Sequence, residues 1–349
     1  MAKFCNCKRL RAFKVKRRLI LHIGAHRTAT SALQTYLHDN FQPLKTQGVL
    51  YPFRVRRHLK LMNQIFAEKR ELQDTAKIIT TRADAHTEDI HTVVLSDEDI
   101  CLRKDLSLLG QFRDTFDVKV VFTLRRQDIW LESWFLQNVK WQWNEKLSHC
   151  SLDEFLAMRE DFHWIHYDRY VRHLEQVFGK ENIILNIHEK QQMQGGPIET
   201  FCNSIGLTNT KSFAAPAHMN ESFSPKISEF MRCLPLDEAS AHYRNTLTSA
   251  CAGISHTLDG GNKKQSERII AHADRIALMQ KYQDGNRALA QRYFDRDQLF
   301  FDPLPDADAP LADMTLPTNS YQLMEQFVAP LLRAIILDRA ELSKDSSAL

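Results

Sequence analysis

Short apolar runs, each followed by a helical pattern, set the rhythm of the first half of the chain. Leu19-Ile20-Leu21-His22-Ile23 stops at Gly24, and apolar positions at Leu33, Tyr36 and Leu37 mark a helix from about Ser31 to Lys45. Gln47-Gly48 breaks it, and Val49-Leu50-Tyr51-Pro52 reads as a short extended segment. A polar, helix-favouring stretch from Arg57 to about Arg82 leads to Thr92-Val93-Val94-Leu95-Ser96-Asp97-Glu98, a buried strand that ends in a hydroxyl and two acids, and then to a short helical pattern ending at Leu109. Val118-Lys119-Val120-Val121-Phe122-Thr123-Leu124 runs into Arg125-Arg126-Gln127-Asp128 and a helix through Gln137. Strands that alternate with helices predict parallel βαβ units with right-handed crossovers. The expected fold is α/β: three layers, with a central, mostly parallel sheet flanked by helices.

The second half changes character. A helix with Tyr170, Leu174 and Phe178, the strand Asn182 to Ile187 and a helix near Pro197 to Ile205 continue the alternation. Beyond about Lys211 the pattern is mainly helical, with Ile269, Ile270, Ala273, Ile276, Ala277 and Tyr282 at helical spacing in an amphipathic run from Ser266 to Phe294. That stripe reads as a face packed on the core. Proline, aspartate and alanine from Asp302 to Asn319 predict a loop before a last helix near Tyr321 to Leu342. The expected organisation is a basic arm over 1–18, a core over 19–210, and a helical C-terminal extension over 211–349 packed on that core.

With 349 residues, 43% of them hydrophobic, the chain can bury a sizeable core. The net charge of +3 is small, yet Lys3, Lys8, Arg9, Arg11, Lys14, Lys16, Arg17 and Arg18 crowd the start, with no carboxylate before Asp39. A solvated arm is the plainer expectation, and peripheral contact with an anionic membrane or polymer the sharper one. The arm lacks an apolar h-region, and no transmembrane stretch is apparent. Seven scattered cysteines, with Cys5-x-Cys7 too sparse for a metal site, read as reduced thiols in a cytoplasmic protein. No basic residues interleave with a stacking platform, so nucleic acid is not expected as a partner.

The chemistry gathers at three strand ends, Gly24 to Arg27, Ser96 to Glu98, and Arg125-Arg126, because ligands of such sheets sit outside the carboxyl ends of strands. A strand that turns at a glycine into a helix presents unpaired N–H groups and a positive dipole end, which suit phosphate. The nucleoside triphosphate loop G-x-x-x-x-G-K-S/T fails here: counting from Gly24, its second glycine falls on Ala29 and its lysine on Thr30. The loop's one cation is Arg27. Phosphate loop, paired carboxylates and an arginine pair make the inventory of a site that handles anions and removes a proton.

Arg27-Thr28-Ala29-Thr30-Ser31 resembles the 5′-phosphosulfate loop, K-x-G-T-T, of sulfotransferases that use 3′-phosphoadenosine 5′-phosphosulfate (PAPS), with arginine for lysine and alanine for glycine. Arg125-Arg126-Gln127-Asp128-Ile129-Trp130-Leu131-Glu132-Ser133-Trp134-Phe135 is similar to that family's 3′-phosphate motif, R-N-P-x-D-x-x-x-S-x-Y, although asparagine-proline is missing and the acid is displaced by one place. The wider pattern, from His22-Ile23-Gly24 through Gly48 to Pro52, Leu95 to Glu98 and Phe178 to Ile183, resembles bacterial members of the superfamily over about Leu19 to Leu207, and more vaguely around Asn220-Glu221-Ser222 and Asn286 to Phe301.

The resemblance implies a P-loop-like parallel sheet, PAPS as sulfuryl donor, no metal, and a hydroxylated acceptor: glycan, lipid or small molecule. It places Gly24, Arg27, Thr28, Ala29, Thr30 and Ser31 at the 5′ end of the donor, and Arg125 and Ser133 at the 3′-phosphate, with Arg126 sharing that role or pairing with Asp128 or Glu132. Arginine supplies the bidentate fork phosphate prefers, and serine a neutral donor. Glu98 is the expected general base and Asp97 its rival, both also natural at the N-terminus of a following helix. Arg27 would hold charge on the departing oxygen without releasing a proton; His26 is the titratable alternative, or a hydrogen-bonding turn residue. Ala29 fits only if its φ is negative. A P-loop kinase-like phosphotransferase and a noncatalytic binder of anionic glycans or nucleotides are the competing readings. Oligomeric state is left open by the sequence.

Overall fold

The computed structural model describes residues 15–215, 223–258 and 268–346. Most of the basic arm, Cys5 and Cys7, Asn220-Glu221-Ser222 and Ser266 lie outside the described residues. Among those described, five strands form one sheet: β1 (Arg18–His22), β2 (Val49–Leu50), β3 (Thr92–Ser96), β4 (Asp117–Leu124) and β5 (Ile183–Ile187). Their order is β2-β3-β1-β4-β5, and every pairing is parallel. The α/β expectation holds, and the sheet is wholly rather than mostly parallel.

The described helices of eight residues or more are α1 (Thr30–Asp39), α2 (Leu59–Phe66), α3 (Leu72–Asp84), α4 (Gln127–Trp141), α5 (Tyr167–Phe178), α6 (Gly196–Ser204), α7 (Pro225–Arg232), α8 (Ala241–Leu258), α9 (His272–Phe294) and α10 (Ala329–Ser346). Helices cover both faces of the sheet, which explains why its strands read as unbroken apolar runs instead of alternating ones. On one face Ile20, Val94 and Val121 meet Leu33, Tyr36 and Leu37 of α1 and Phe201 of α6. On the other, Leu19, Leu21, Val120 and Phe122 meet Trp130 and Leu131 of α4 and Tyr170 and Leu174 of α5. β1 and β4 are neighbours whose following helices go to opposite faces. A crevice opens where two such strands end.

Three local outcomes differ from the pattern. The helix expected from Ser31 to Lys45 breaks at Asn40, whose side chain donates to Tyr36 O at 2.9 Å and exchanges two bonds with the Ala214 backbone at 2.7 and 3.0 Å. The amphipathic run becomes helical only at His272, because the amides of Ile269 and Ile270 donate instead to the Glu132 carboxylate, each at 2.8 Å. The last helical segment starts at Ser320 and passes through one π-helical stretch, Met324–Val328, before α10. Among the described residues, no helix is long and apolar enough to cross a membrane. The five described cysteines are free thiols.

Candidate anion-binding site

At the crevice lies a cavity of about 740 Å3 lined by Arg27 and Ser31 after β1, Glu98 after β3, and Arg125 after β4. Glu132, Ser133, Leu136, Gln137, Lys140 and Trp141, spaced three and four residues apart, turn one face of α4 toward it. α4 is therefore buried nearly all round, one side against the sheet and the other against the cavity and the C-terminal region. Phe223, Pro225, Arg268, Arg275 and Pro305 close the far wall.

Arg27 and Arg125 meet over Ser133. Arg27 Nε donates to Ser133 Oγ at 2.5 Å, and Arg125 Nη1 donates to the same oxygen at 3.3 Å and to the Arg27 carbonyl oxygen at 2.6 Å. Arg27 also donates to Gln137 Oε1 at 3.2 Å. Neither guanidinium forms a salt bridge among the described residues. Burial, and then the charge of Arg27, pull the Arg125 pKa down to about 10; burial lowers that of Arg27. Tyr167 fixes the strand end, its hydroxyl accepting from Arg125 N at 3.1 Å and donating to Arg125 O at 2.5 Å. His188, just past β5, is pushed down to about 4 by burial and then by Arg125, so it stays neutral beside the pair.

The loop between β1 and α1 is held from within. Thr28 Oγ1 donates to Ala25 O at 2.6 Å, so that hydroxyl braces the turn; Thr28 and Ala29 line a narrow cleft on the His22 and Thr123 side, while Ser31 faces the large cavity. Thr30 opens α1 and is buried. Ala29 is the N-cap of α1 at φ 62°, and Arg27 has φ 64°. The condition set on Ala29, a negative φ, is not met: alanine takes the left-handed conformation glycine would take freely, at about 1 kcal/mol. No side chain caps α1. Gly24 serves a different neighbour, since at its φ of 90° an added Cβ would sit 2.9 Å from Glu98 Cβ.

The three acids after β3 share one arginine. Arg57 Nε lies 2.7 Å from Asp97 Oδ1 and 3.2 Å from Glu98 Oε2, and its Nη2 lies 2.6 Å from Asp99 Oδ1. Glu98 alone of the three lines the cavity, and Gln34 Nε2 donates to it at 2.5 Å. Asp97 is buried, accepts from Asp99 N at 3.3 Å, and is pushed up to about 6 by that burial against the pull of Arg57. Burial would raise Asp99 too, but His26 and Arg57 hold it below the usual range. His26 is buried against the Trp134 ring at 4.6 Å and bonds Asp99 at 2.9 Å, away from the cavity lining.

Arg126 also lines the cavity, with its guanidinium engaged by other partners. It grips Asp128 at 2.7 and 3.1 Å and donates to Asp302 O and Pro303 O at 2.6 and 3.0 Å. Arg275, 1% exposed, pairs with Asp128 at 2.7 Å and with Glu132. The sequence did not single out Arg275, Arg268, Lys140, Gln34, Tyr167 or His188. No local spacing marks them: Gln34 follows the loop on α1, and the others come from a distant segment or from a turn of α4 beyond the motif.

No family model matches the chain. A curated relative from Archaeoglobus fulgidus, described as an uncharacterized protein, is 23% identical over 212 residues, which is 57% of this chain and 53% of the relative. The chain thus spans about half the length of that relative. Among solved structures, a sulfotransferase from Alicyclobacillus acidocaldarius superposes with a TM-score of 0.38 and 16% identity, covering 59% of this chain and 87% of that one.

Proposed function

We propose that the chain is a sulfotransferase that moves a sulfuryl group from PAPS to an acceptor hydroxyl. The observation that carries the reading is the half-buried pair Arg27 and Arg125, bonded to one serine and without carboxylate partners among the described residues. Buried charges are ordinarily paired, because leaving water costs on the order of several kcal/mol per ion. Two adjacent guanidiniums that face a cavity fit a polyanion better than they fit each other.

Fit to PAPS rests on three features. The cavity, about 740 Å3, lies in the range that takes a nucleotide-sized ligand. The uncapped start of α1 offers N–H groups and a positive dipole end beside Arg27. Arg125 and Ser133, both bonded to Arg27 here, would turn to a second phosphate. Bound PAPS would supply the activated sulfuryl group. Glu98, oriented by Gln34, would accept the proton of the attacking hydroxyl, and Arg27 would hold the negative charge that grows on the departing phosphate oxygen. Asp97 and His26 would act on this machinery only through Arg57 and Asp99. Arg126 would brace the 302–303 loop.

Calorimetry with adenosine 3′,5′-bisphosphate tests the reading on the native chain and on Arg125→Ala and Ser133→Ala. Binding by the native chain with a large loss in each variant is expected. No binding, or unchanged affinity in both variants, overturns it. Tighter, magnesium-dependent binding of ATP would favour the phosphotransferase instead, and donor binding without transfer to any acceptor would leave a noncatalytic binder.

A further inference from the structure

The last helix is apolar on the side it buries and on the side it exposes. From Val328 to Leu337 the only polar side chain is Arg333, and a helix that is apolar all round is ordinarily covered all round. The inner side of this one is covered. Leu331 and, just before α10, Phe327 are buried; the Phe327 ring lies 5.0 Å from that of Phe230 on α7, and His242 Nε2 of α8 lies 2.7 Å from Asp338 Oδ2. The outer side has no such cover among the described residues. Leu332, Ile336 and Leu337, with Tyr321 and Met324 on the turns that lead into α10, are each between 51% and 73% exposed. They are five of the eleven large apolar side chains left exposed among the described residues, a concentration at one end of the chain where a surface normally shows scatter.

We infer that a second copy of this chain covers this face, the two α10 helices crossing antiparallel at Leu332 about a two-fold axis. Charge singles out that occupant. Leu332, Ile336 and Arg339 follow one another at i, i+4 and i+7 along one side of α10. Glu325, also exposed, lies seven residues before Leu332, as Arg339 lies seven after it. Neither forms an ion pair among the described residues. An antiparallel pair centred on Leu332 brings Glu325 of each copy to the Arg339 end of the other, so the face complements itself, which is what an isologous dimer requires. Arg333 stands about 100° round the helix from Leu332, and its long stem lets the charge stay in water. A lipid surface would be better served by cations at both ends of the face, and here one end is an acid. The inference is independent of the sulfotransferase reading, since no residue of α10 lines the cavity.

Sedimentation velocity over protein concentrations from about 1 to 100 μM tests it. The native chain should pass from 40.6 kDa to twice that mass as concentration rises. Ile336→Glu should weaken the dimer by about tenfold or more. Glu325→Arg and Arg339→Glu should each weaken it by about three- to tenfold, and the double reversal should recover most of the loss, which unspecific apolar adhesion would not do. Helix content by circular dichroism should be unchanged in every variant, because each substituted side chain is already exposed; should Ile336→Glu lose helix, the charge reversals decide. A native chain that stays monomeric throughout, a well-folded Ile336→Glu that dimerises as tightly as the native chain, or a double reversal no better than the single ones overturns the inference. So does a monomer that pellets with vesicles of phosphatidylcholine and phosphatidylglycerol and ceases to do so as Ile336→Glu, which would assign the face to lipid.

Discussion

Arg125 donates to the carbonyl oxygen of Arg27 at 2.6 Å, so the turn after β1 and the end of β4 are joined through two like charges. Burial, and after it the charge of Arg27, lower the Arg125 pKa to about 10. On the proposed reading, a ligand with two anionic groups would relieve this arrangement.

Anions should therefore stabilise the folded chain. At adenosine 3′,5′-bisphosphate concentrations one hundred times its dissociation constant, the gain is expected to be about 2.7 kcal/mol. Urea unfolding with and without the nucleotide measures it. Sulfate should act in the same direction more weakly, and Arg125→Ala should lose most of both effects. A native chain indifferent to either anion would show that the arginine pair is no anion site.

Arg27→Lys puts a compact ammonium where the guanidinium now reaches Ser133 and Gln137. On the proposed reading sulfuryl transfer should survive this change, since a cation would still stand beside the departing oxygen. Arg27→Ala should lower kcat by about 10²–10³, the usual effect of removing one preorganised donor. Single-turnover rates with saturating donor would separate this from weaker binding. Equal rates for Arg27→Ala and the native chain would exclude Arg27 from the transfer step.

The sheet was legible because its strands are buried on both faces and read as plain apolar runs: Leu19 to Leu21, Val93 to Leu95 and Val118 to Leu124 are each a strand in place. Helix ends were less legible. Asn40 and Glu132 decide two of them through partners far away in sequence, Ala214 and Ile269-Ile270. At the site, the two motifs placed Arg27, Arg125 and Ser133 at strand and helix positions from which the fold brings them together. They could not say which way each side chain turns. Arg126 points to Asp128 because that carboxylate is buried and requires partners, and His26 to the half-buried Asp99. The cavity's far wall, with Arg268 and Arg275, belongs to a region whose pattern announces only helix.

Gly24 is the position where a single methyl should disturb the proposed base. Gly24→Ala places a Cβ 2.9 Å from Glu98 Cβ and 3.1 Å from Glu98 Cα, at a φ of 90° that alanine resists. Overpacking of this kind costs about 1–3 kcal/mol. The variant should unfold at lower urea and lose transfer rate while keeping its affinity for adenosine bisphosphate. Full stability would mean that Glu98 moves aside freely, and that its position is not set by the turn.

Arg275 tests the brace between α4 and the C-terminal region. Arg275→Met leaves Asp128 with Arg126 alone, and Glu132 with only the two amides. Breaking a buried ion pair from one side costs about 3–5 kcal/mol. Urea denaturation should show a lower midpoint with an unchanged slope. A loss under about 1 kcal/mol would show that the carboxylates reach water once the guanidinium is gone.

Asp97 gives the chain a pH dependence whose sign follows from its surroundings. Burial raises its pKa to about 6 from 3.8, against the charge of Arg57 and with the charges of Asp99 and Glu98. Between those two values the folded state holds a proton that the unfolded state has released, so this group's contribution is greatest at pH 4 and is lost as pH rises through 6. Asp97→Asn removes the dependence and keeps the shape. The stability of Asp97→Asn relative to the native chain should therefore rise by about 2–3 kcal/mol between pH 4 and pH 7, the equivalent of roughly two pKa units. Urea titrations of both proteins at half-unit pH steps measure the difference. A flat difference across this range would mean that Arg57 fully offsets the burial of the carboxylate, and a falling one that Asp97 is stabilised as the anion.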